Sequence, residues 1–525
     1  FININSNGMK YIFLIVFCCN YMLNYSQNMT ESDLIVNTKY GKIKGAIEKN
    51  SCVWRGVPFA KAPVGNLRFK APVPTDSWEG IKNATEFGNN AMQINSPYAE
   101  GKISEDCLYL NIWSPKADTK KRPVMVWIHG GGFSQGAGSN SLYNGVELVN
   151  KGDVVVVTIN YRLGPLAFLY FDELPENKGE FESNLGIKDQ IAALKWVNQN
   201  IEFFGGDPNN VTIFGQSSGA TSCMTILSCP SAKGLFHKVI AESPSLNFWT
   251  KEQATQVTKQ FLSLIGITKN NMSDLYTISA DSLIKVADVM LSNRNNLPGI
   301  GIFSPTVDEV FLPNKPIDAI KSGFTKDIPL LIGTNRFEAN IFKTYSRAPI
   351  PKNANEIHIE FEKHAPTAES RITSCYKNYP KKDAIYNLVT DGVFTMPCIK
   401  AAEAQTSNAS TWMYRLDWES LPLKLKGLRT CHALELFFVF NSFKSGIGKK
   451  LTILTSKKKV YNLSSLMQDC WISFSKNGNP NKDNSTNWKP YDSVNRATML
   501  FNKTSKVVND PNAEQRVKWA DEKFF

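Results

Sequence analysis

Histidine is scarce in this chain, with five in 525 residues, and no Cys-x-x-Cys pair or histidine–cysteine cluster occurs. No metal site is therefore expected, because zinc and iron–sulfur centres need such ligands grouped at short spacing. Apolar runs of membrane length are also lacking. The run over residues 11–19 has nine residues, whereas a bilayer needs about twenty. Preceded by Met9-Lys10, that run reads as the core of a secretory signal, giving a leader over 1–8, a signal peptide over 9–27 and a secreted or lumenal product. The last residues, Ala520-Asp521-Glu522-Lys523-Phe524-Phe525, carry neither a lipid-anchor tail nor an ER-retention tetrapeptide, so no stable membrane anchor is expected.

Cysteine is too sparse for a disulfide-built scaffold: ten in all, eight of them beyond the signal. Internal repeats, low-complexity blocks and linkers are missing, which leaves a single domain over 28–525. A concentrated basic stripe is missing too. Lysine plus arginine exceed aspartate plus glutamate by 59 to 47, for a net +12, but the excess is scattered apart from Lys449-Lys450 and Lys457-Lys458-Lys459. That distribution speaks against a nucleic-acid partner and for a solvated basic surface.

What is present is an ordinary globular composition, 42% hydrophobic and 11% aromatic, able to build a sizeable core. Nine N-x-S/T sequons, at Asn24, Asn28, Asn83, Asn210, Asn271, Asn408, Asn462, Asn484 and Asn502, agree with secretion. Short continuous apolar runs, Val124-Met125-Val126-Trp127-Ile128 and Val154-Val155-Val156-Val157-Thr158-Ile159, have the character of buried parallel strands. Lys238-Val239-Ile240-Ala241, Ile328-Pro329-Leu330-Leu331-Ile332 and Trp412-Met413-Tyr414-Arg415-Leu416 continue the series. Between them Ile187, Ile191, Leu194, Val197 and Ile201 recur at helical spacing. The alternation implies helices covering a mostly parallel sheet, an α/β class.

The most telling stretch is Gly215-Gln216-Ser217-Ser218-Gly219. It closes the apolar run Val211-Thr212-Ile213-Phe214 and opens a helix-like segment. A strand–G-x-S-x-G–helix order is that of a nucleophile elbow, in which a tight turn lifts the serine hydroxyl above the sheet. Serine is a poor nucleophile at neutral pH and needs a general base. His129 precedes the elbow, His237 follows the elbow's helix, and His358 and His364 lie in a charged segment that reads as an exposed helix. His432 is left as the base. An acid must orient it, and two follow strand-like runs: Glu338, a short turn (Thr334-Asn335-Arg336-Phe337) beyond Leu330-Leu331-Ile332-Gly333, and Asp417. His129-Gly130-Gly131-Gly132-Phe133 follows another strand, where consecutive glycines can turn backbone N–H groups of Gly131 and Gly132 toward a substrate oxygen; Ser218 would add a third.

Together with Gly56-Val57-Pro58-Phe59-Ala60, Pro63-Val64-Gly65-Asn66-Leu67-Arg68-Phe69, Ser104-Glu105-Asp106-Cys107-Leu108, Phe204-Gly205-Gly206-Asp207-Pro208 and Gly478-Asn479-Pro480, these segments resemble the type-B carboxylesterase/cholinesterase family of the α/β-hydrolase fold. The resemblance runs from about Thr38 to Trp519. It implies one catalytic domain with a large, mostly parallel sheet flanked by helices. It also implies a Ser217–Glu338–His432 triad, with Glu338 preferred to Asp417. Gln216, Ser243 and Glu435 are implied as neighbours supporting the triad, and Arg68–Glu105 as an ion pair.

Departures from the family pattern are informative. The residue before the nucleophile is usually glutamate and is Gln216 here, and the one after it is usually alanine and is Ser218. The cysteine that would pair with Cys107 is replaced by Ala91, which leaves Cys107 as a free thiol or a partner for another cysteine such as Cys52. The tryptophan that holds a quaternary ammonium in cholinesterases is absent from the short loop before Ser104, where only Tyr98 could substitute.

The expected activity is hydrolysis of neutral carboxylic esters through an acyl-enzyme, on small-molecule substrates and without metal or organic cofactor. The alternatives are a lipase or juvenile-hormone-like esterase on the same machinery and, less favoured, a non-catalytic adhesion or storage protein. Oligomeric state is not legible in the sequence.

Overall fold

Alternate residues of the apolar runs enter two different cores, which is why both faces of the runs are hydrophobic. Val124, Val126 and Ile128 pack with Val155, Val157, Ile159, Ile213 and Val239 in one buried cluster. Met125 and Trp127 pack with Val156, Phe214, Ile240 and Leu331 in the other. Side chains alternate across a strand, so a sheet covered on both faces needs this continuous apolar pattern. The computed structural model describes residues 31–94, 99–292, 301–345, 350–444, 446–482, 487–519 and 522. The leader over 1–8, the signal peptide over 9–27, Tyr98 and the sequons at Asn24, Asn28 and Asn484 lie outside the described residues.

The central sheet has eleven strands. In chain order they are β1 (Ala46–Glu48), β2 (Ser51–Pro58), β3 (Tyr109–Ser114), β4 (Arg122–Ile128), β5 (Val155–Ile159), β6 (Gly206–Gln216), β7 (Lys238–Glu242), β8 (Leu330–Asn335), β9 (Thr411–Leu416), β10 (Ala497–Phe501) and β11 (Lys506–Asn509). Their spatial order is β1-β2-β3-β5-β4-β6-β7-β8-β9-β10-β11. The pairings from β5 through β10 are parallel, and the outer pairs at both edges are antiparallel. The mostly parallel sheet implied by the resemblance is thus present.

Register places the site. Gly215 of β6 lies beside Ile128 of β4 and Ala241 of β7, and Glu242 lies beside Gly333 of β8. The carboxyl ends of β4, β6, β7 and β8 therefore stand side by side, where an open parallel sheet assembles its crevice. Helix α1 (Leu185–Asn200) covers one face, and α2 (Ser218–Leu227) follows the elbow with all ten residues buried. Beyond β9 come the short helices α3 (Leu421–Leu425), α4 (Leu436–Val439) and α5 (Gly446–Leu451), and then the long α6 (Lys457–Asn477). Among the described residues no helix is long and apolar enough to cross a membrane.

Candidate active site

Ser217 sits between β6 and α2 with φ 58° and ψ −125°. Such a conformation costs a non-glycine residue of order 1–3 kcal/mol and persists only where its surroundings enforce it. Here the Ser217 N–H donates to the Glu242 carbonyl at 2.9 Å, and the Thr221 N–H donates to the Ser217 carbonyl at 2.9 Å. The flanking glycines have no room for a side chain. A Cβ on Gly219 would lie 2.0 Å from the Ile128 carbonyl oxygen, and one on Gly215 would lie 2.6 Å from the Gly219 backbone. The turn leaves Ser217 partly accessible while Gln216 and Ser218 are buried.

The glycine loop after β4 packs against this turn. Gly131 has φ +121°, and a Cβ there would lie 1.9 Å from the Gln135 carbonyl oxygen, so only glycine fits. Its carbonyl accepts the Ser134 and Gln135 N–H groups, each at 3.2 Å. Among the described residues the N–H groups of Gly131 and Gly132 donate to no protein acceptor. The Ser218 N–H, in the first turn of α2, has no intrahelical partner. Three donors are thus free for a ligand oxygen. His129 plays a structural part: it is buried, stacks on Tyr161 at 4.5 Å, and burial lowers its pKa to about 4.

His432 meets its acid as a close pair, with Nδ1–H donating to Glu338 Oε2 at 2.6 Å. The fully buried Glu338 is itself held, because its Oε1 accepts the Ser243 hydroxyl at 2.6 Å and the Asn335 N–H at 2.5 Å. With the ring proton on Nδ1, Nε2 carries the lone pair. The side-chain amide of Gln216 donates to that nitrogen at 3.0 Å. Burial disfavours the imidazolium, but the Glu338 charge and hydrogen bond, helped by Glu435, win, and the His432 pKa is raised. The ring packs against Phe394 at 4.9 Å.

The remaining candidates fall elsewhere. Asp417 grips Arg415 with two hydrogen bonds, at 2.6 and 2.9 Å, and takes no part near His432. His237 Nδ1 accepts the Val211 N–H at 3.1 Å. His358, exposed on the surface helix Ala354–His364, pairs with Glu369 of the following helix Glu369–Thr373. Arg68 and Glu105 form the two-bond pair that the resemblance implies, one bond at 2.6 Å. Cys107 is a buried thiol, and among the described residues no bridge joins it to the buried Cys52.

Two residues beneath the site escape the sequence reading. Glu242, the last residue of β7, is fully buried and accepts the Trp471 indole N–H at 2.8 Å. Its signal is an acid ending an apolar strand, immediately before Ser243. Asn335 bridges Glu338 and Glu435: its backbone N–H goes to the first and its side-chain amide to the second. Glu435 is therefore linked to Glu338 through Asn335, with no hydrogen bond to His432 among the described residues. Burial first, and the Glu338 charge second, push the Glu435 pKa up to about 7. Burial, with Glu435 as neighbour, raises that of Glu242 well above the usual carboxylate range.

The family model described as "Carboxylesterase family" matches residues 32–519. The chain belongs to the carboxylesterase family. It is 41% identical over 490 residues to the para-nitrobenzyl esterase of Bacillus subtilis (strain 168), covering 92% of this chain and 98% of that protein. It is 30% identical to the cholinesterase of Mus musculus, covering 94% and 88%. A solved PNB esterase structure superposes with a TM-score of 0.83 at 39% identity, covering 93% of this chain and 99% of the other. The fold is that of the α/β-hydrolases, and the protein is a carboxylic ester hydrolase.

Proposed function

We propose that this member of the carboxylesterase family is a secreted serine esterase acting on neutral esters, with Ser217 as nucleophile, His432 as general base and Glu338 as its orienting acid. The observation that carries this reading is the 2.6 Å bond from His432 Nδ1 to a buried, doubly held Glu338, beside a serine kept on a strained turn.

In the first step His432 Nε2 leaves the Gln216 amide and takes the Ser217 proton as Oγ bonds to the ester carbon. The carbonyl π pair moves onto oxygen, which the N–H groups of Gly131, Gly132 and Ser218 receive; each such donor is worth roughly 3 kcal/mol in the transition state. The imidazolium then gives its proton to the departing alcohol as the ester C–O bond breaks. Water attacks the acyl-enzyme with its proton taken by the same nitrogen, and collapse releases the acid and restores Ser217. Glu338 remains ionised and stabilises the imidazolium throughout.

Gln216 adds no negative charge beside the nucleophile, which favours neutral over cationic alcohols. A lipase or juvenile-hormone-like preference would use the same residues, and chain-length profiling with nitrophenyl esters separates these substrate classes. Secretion would carry a glycan most readily at the exposed Asn83, whereas the Asn408 amide is engaged with the Ile320 carbonyl at 2.7 Å.

A fluorophosphonate probe followed by peptide mapping tests the assignment. Adduct on Ser217, abolished in Ser217→Ala, is expected; adduct on another serine would overturn it.

A further inference from the structure

A second surface carries chemistry that ester hydrolysis does not use. Residues 421–459 hold nine lysines and arginines and one acid, Glu435, leaving 50 basic and 46 acidic residues for the rest of the chain. Most of the net charge of the protein therefore comes from this one segment, against the scattered excess expected above, and its single acid is fully buried. The fold gathers the segment: α3 packs on α5, and the Ser420 hydroxyl donates to the Leu451 carbonyl at 2.9 Å. A tight turn then leads into α6. The element carrying Lys424 and Lys426 (α3 and its C-cap) thereby lies against the one carrying Lys449-Lys450, and Lys457-Lys458-Lys459 follow a few residues on at the start of α6.

These seven lysines are exposed, and among the described residues none has a carboxylate at ion-pair distance. Lys444 is spoken for by Glu147 at 3.2 Å, and Arg429 by Glu419. The placement of the lysine triplet does nothing for the helix. It forms the first turn of α6, which contains no acid, and cations there oppose the helix dipole.

Large apolar side chains stand among the lysines. Leu425 is 77% exposed and Leu454 81% exposed, with Ile447 and Ile453 also on the surface. Leu454 takes a left-handed conformation, φ 57°, that leucine rarely adopts. Its turn is braced, with the Thr455 hydroxyl and N–H both donating to the Thr452 carbonyl, at 2.7 and 3.2 Å. A strained, braced turn that shows a leucine to water is costly twice over unless something covers it.

We propose that the face built from α3, α5 and the start of α6 docks on an anionic phospholipid surface, its lysines at the headgroups and Leu425, Ile447, Ile453 and Leu454 in the interfacial layer. Lysines ringing apolar side chains are the chemistry of interfacial binding, in which the basic groups find anionic headgroups and the apolar ones leave water. A soluble polyanion would use the lysines and leave the leucines exposed, so the apolar side chains decide for lipid. The association is peripheral and reversible, and it is independent of the esterase reading because it requires no catalytic group.

Sedimentation of the full chain with vesicles tests it, comparing phosphatidylcholine alone with equal parts phosphatidylcholine and phosphatidylserine, at low salt. Binding to the mixed vesicles only is expected. The triple variant Lys457→Gln, Lys458→Gln, Lys459→Gln should lower the partition coefficient on the order of 100-fold, at roughly fivefold per lysine. Leu454→Ser should weaken binding several-fold, roughly in proportion to the apolar area removed. Hydrolysis of a soluble nitrophenyl acetate by each variant should match that of the parent, which reports both folding and the esterase reading separately. No binding to the mixed vesicles would overturn the proposal. So would binding indifferent to Leu454→Ser and competed fully by heparin, which would mark a polyanion site.

Discussion

The side-chain amide of Gln216 stands 3.0 Å from Nε2 of His432, the nitrogen proposed to take the Ser217 proton. An N–H donor at that place stabilises the neutral imidazole and lets go when the ring becomes charged. A carboxylate in its place would do the reverse. Gln216→Glu should raise the pKa of His432, moving the acid limb of the kcat/KM–pH profile upward by about one pH unit or more. A pH–rate profile on a neutral nitrophenyl ester checks this, and an unmoved limb would mean that the contact has no effect on the base.

Glu338 fixes the tautomer of His432, whereas Asp417 serves Arg415. Glu338→Gln should keep the fold but lower kcat by roughly 10⁴-fold, since an amide cannot stabilise the imidazolium and favours the wrong tautomer. Asp417→Asn should leave kcat close to the parent value and lower the thermal midpoint. Steady-state kinetics and thermal melts on the two variants separate these roles.

Glu435 has a pKa near 7 in the folded protein, above its ordinary value of 4.5, because burial and Glu338 oppose its charge. A raised carboxyl favours the folded state fully below its unfolded pKa, and that contribution is lost as pH rises through about 7. Glu435→Gln removes the titration, so its stability relative to the parent should improve between pH 5 and pH 8. Urea midpoints at the two pH values measure the difference. The same substitution removes a charge that raises the pKa of His432, so the acid limb should move downward, opposite to Gln216→Glu.

The segment carrying His432 is anchored through aromatic packing. Phe440, just after α4, has its ring 5.1 Å from Trp127 and 6.0 Å from Phe214. Phe440→Ala should cost about 3–5 kcal/mol by opening a cavity between the sheet and that segment. Equilibrium urea unfolding gives the loss directly.

Legibility in the sequence follows the range of the interaction. Runs such as 124–128 and 154–159 appear as strands within a residue or two at their ends, because burial on both faces writes a continuous apolar pattern. At 330–335 the sequence predicts a turn from Thr334, yet β8 continues through Asn335. Polar residues at the end of a strand look like a turn, and the role of Asn335 as a bridge stays hidden for that reason. The five histidines could be sorted by neighbouring sequence. The reach of the Gln216 amide to a ring 216 residues away, the burial of Glu242, and the packing of α3 with Lys424 on α5 with Lys449-Lys450 all depend on tertiary packing that no local pattern encodes.

The proposed mechanism depends on the nucleophilic role of Ser217. It is tested most directly by the rate of p-nitrophenyl acetate hydrolysis for the parent protein and Ser217→Ala, both shown to be folded. A loss in kcat of at least about 10⁴-fold is predicted. Equal rates in the two proteins would contradict the account.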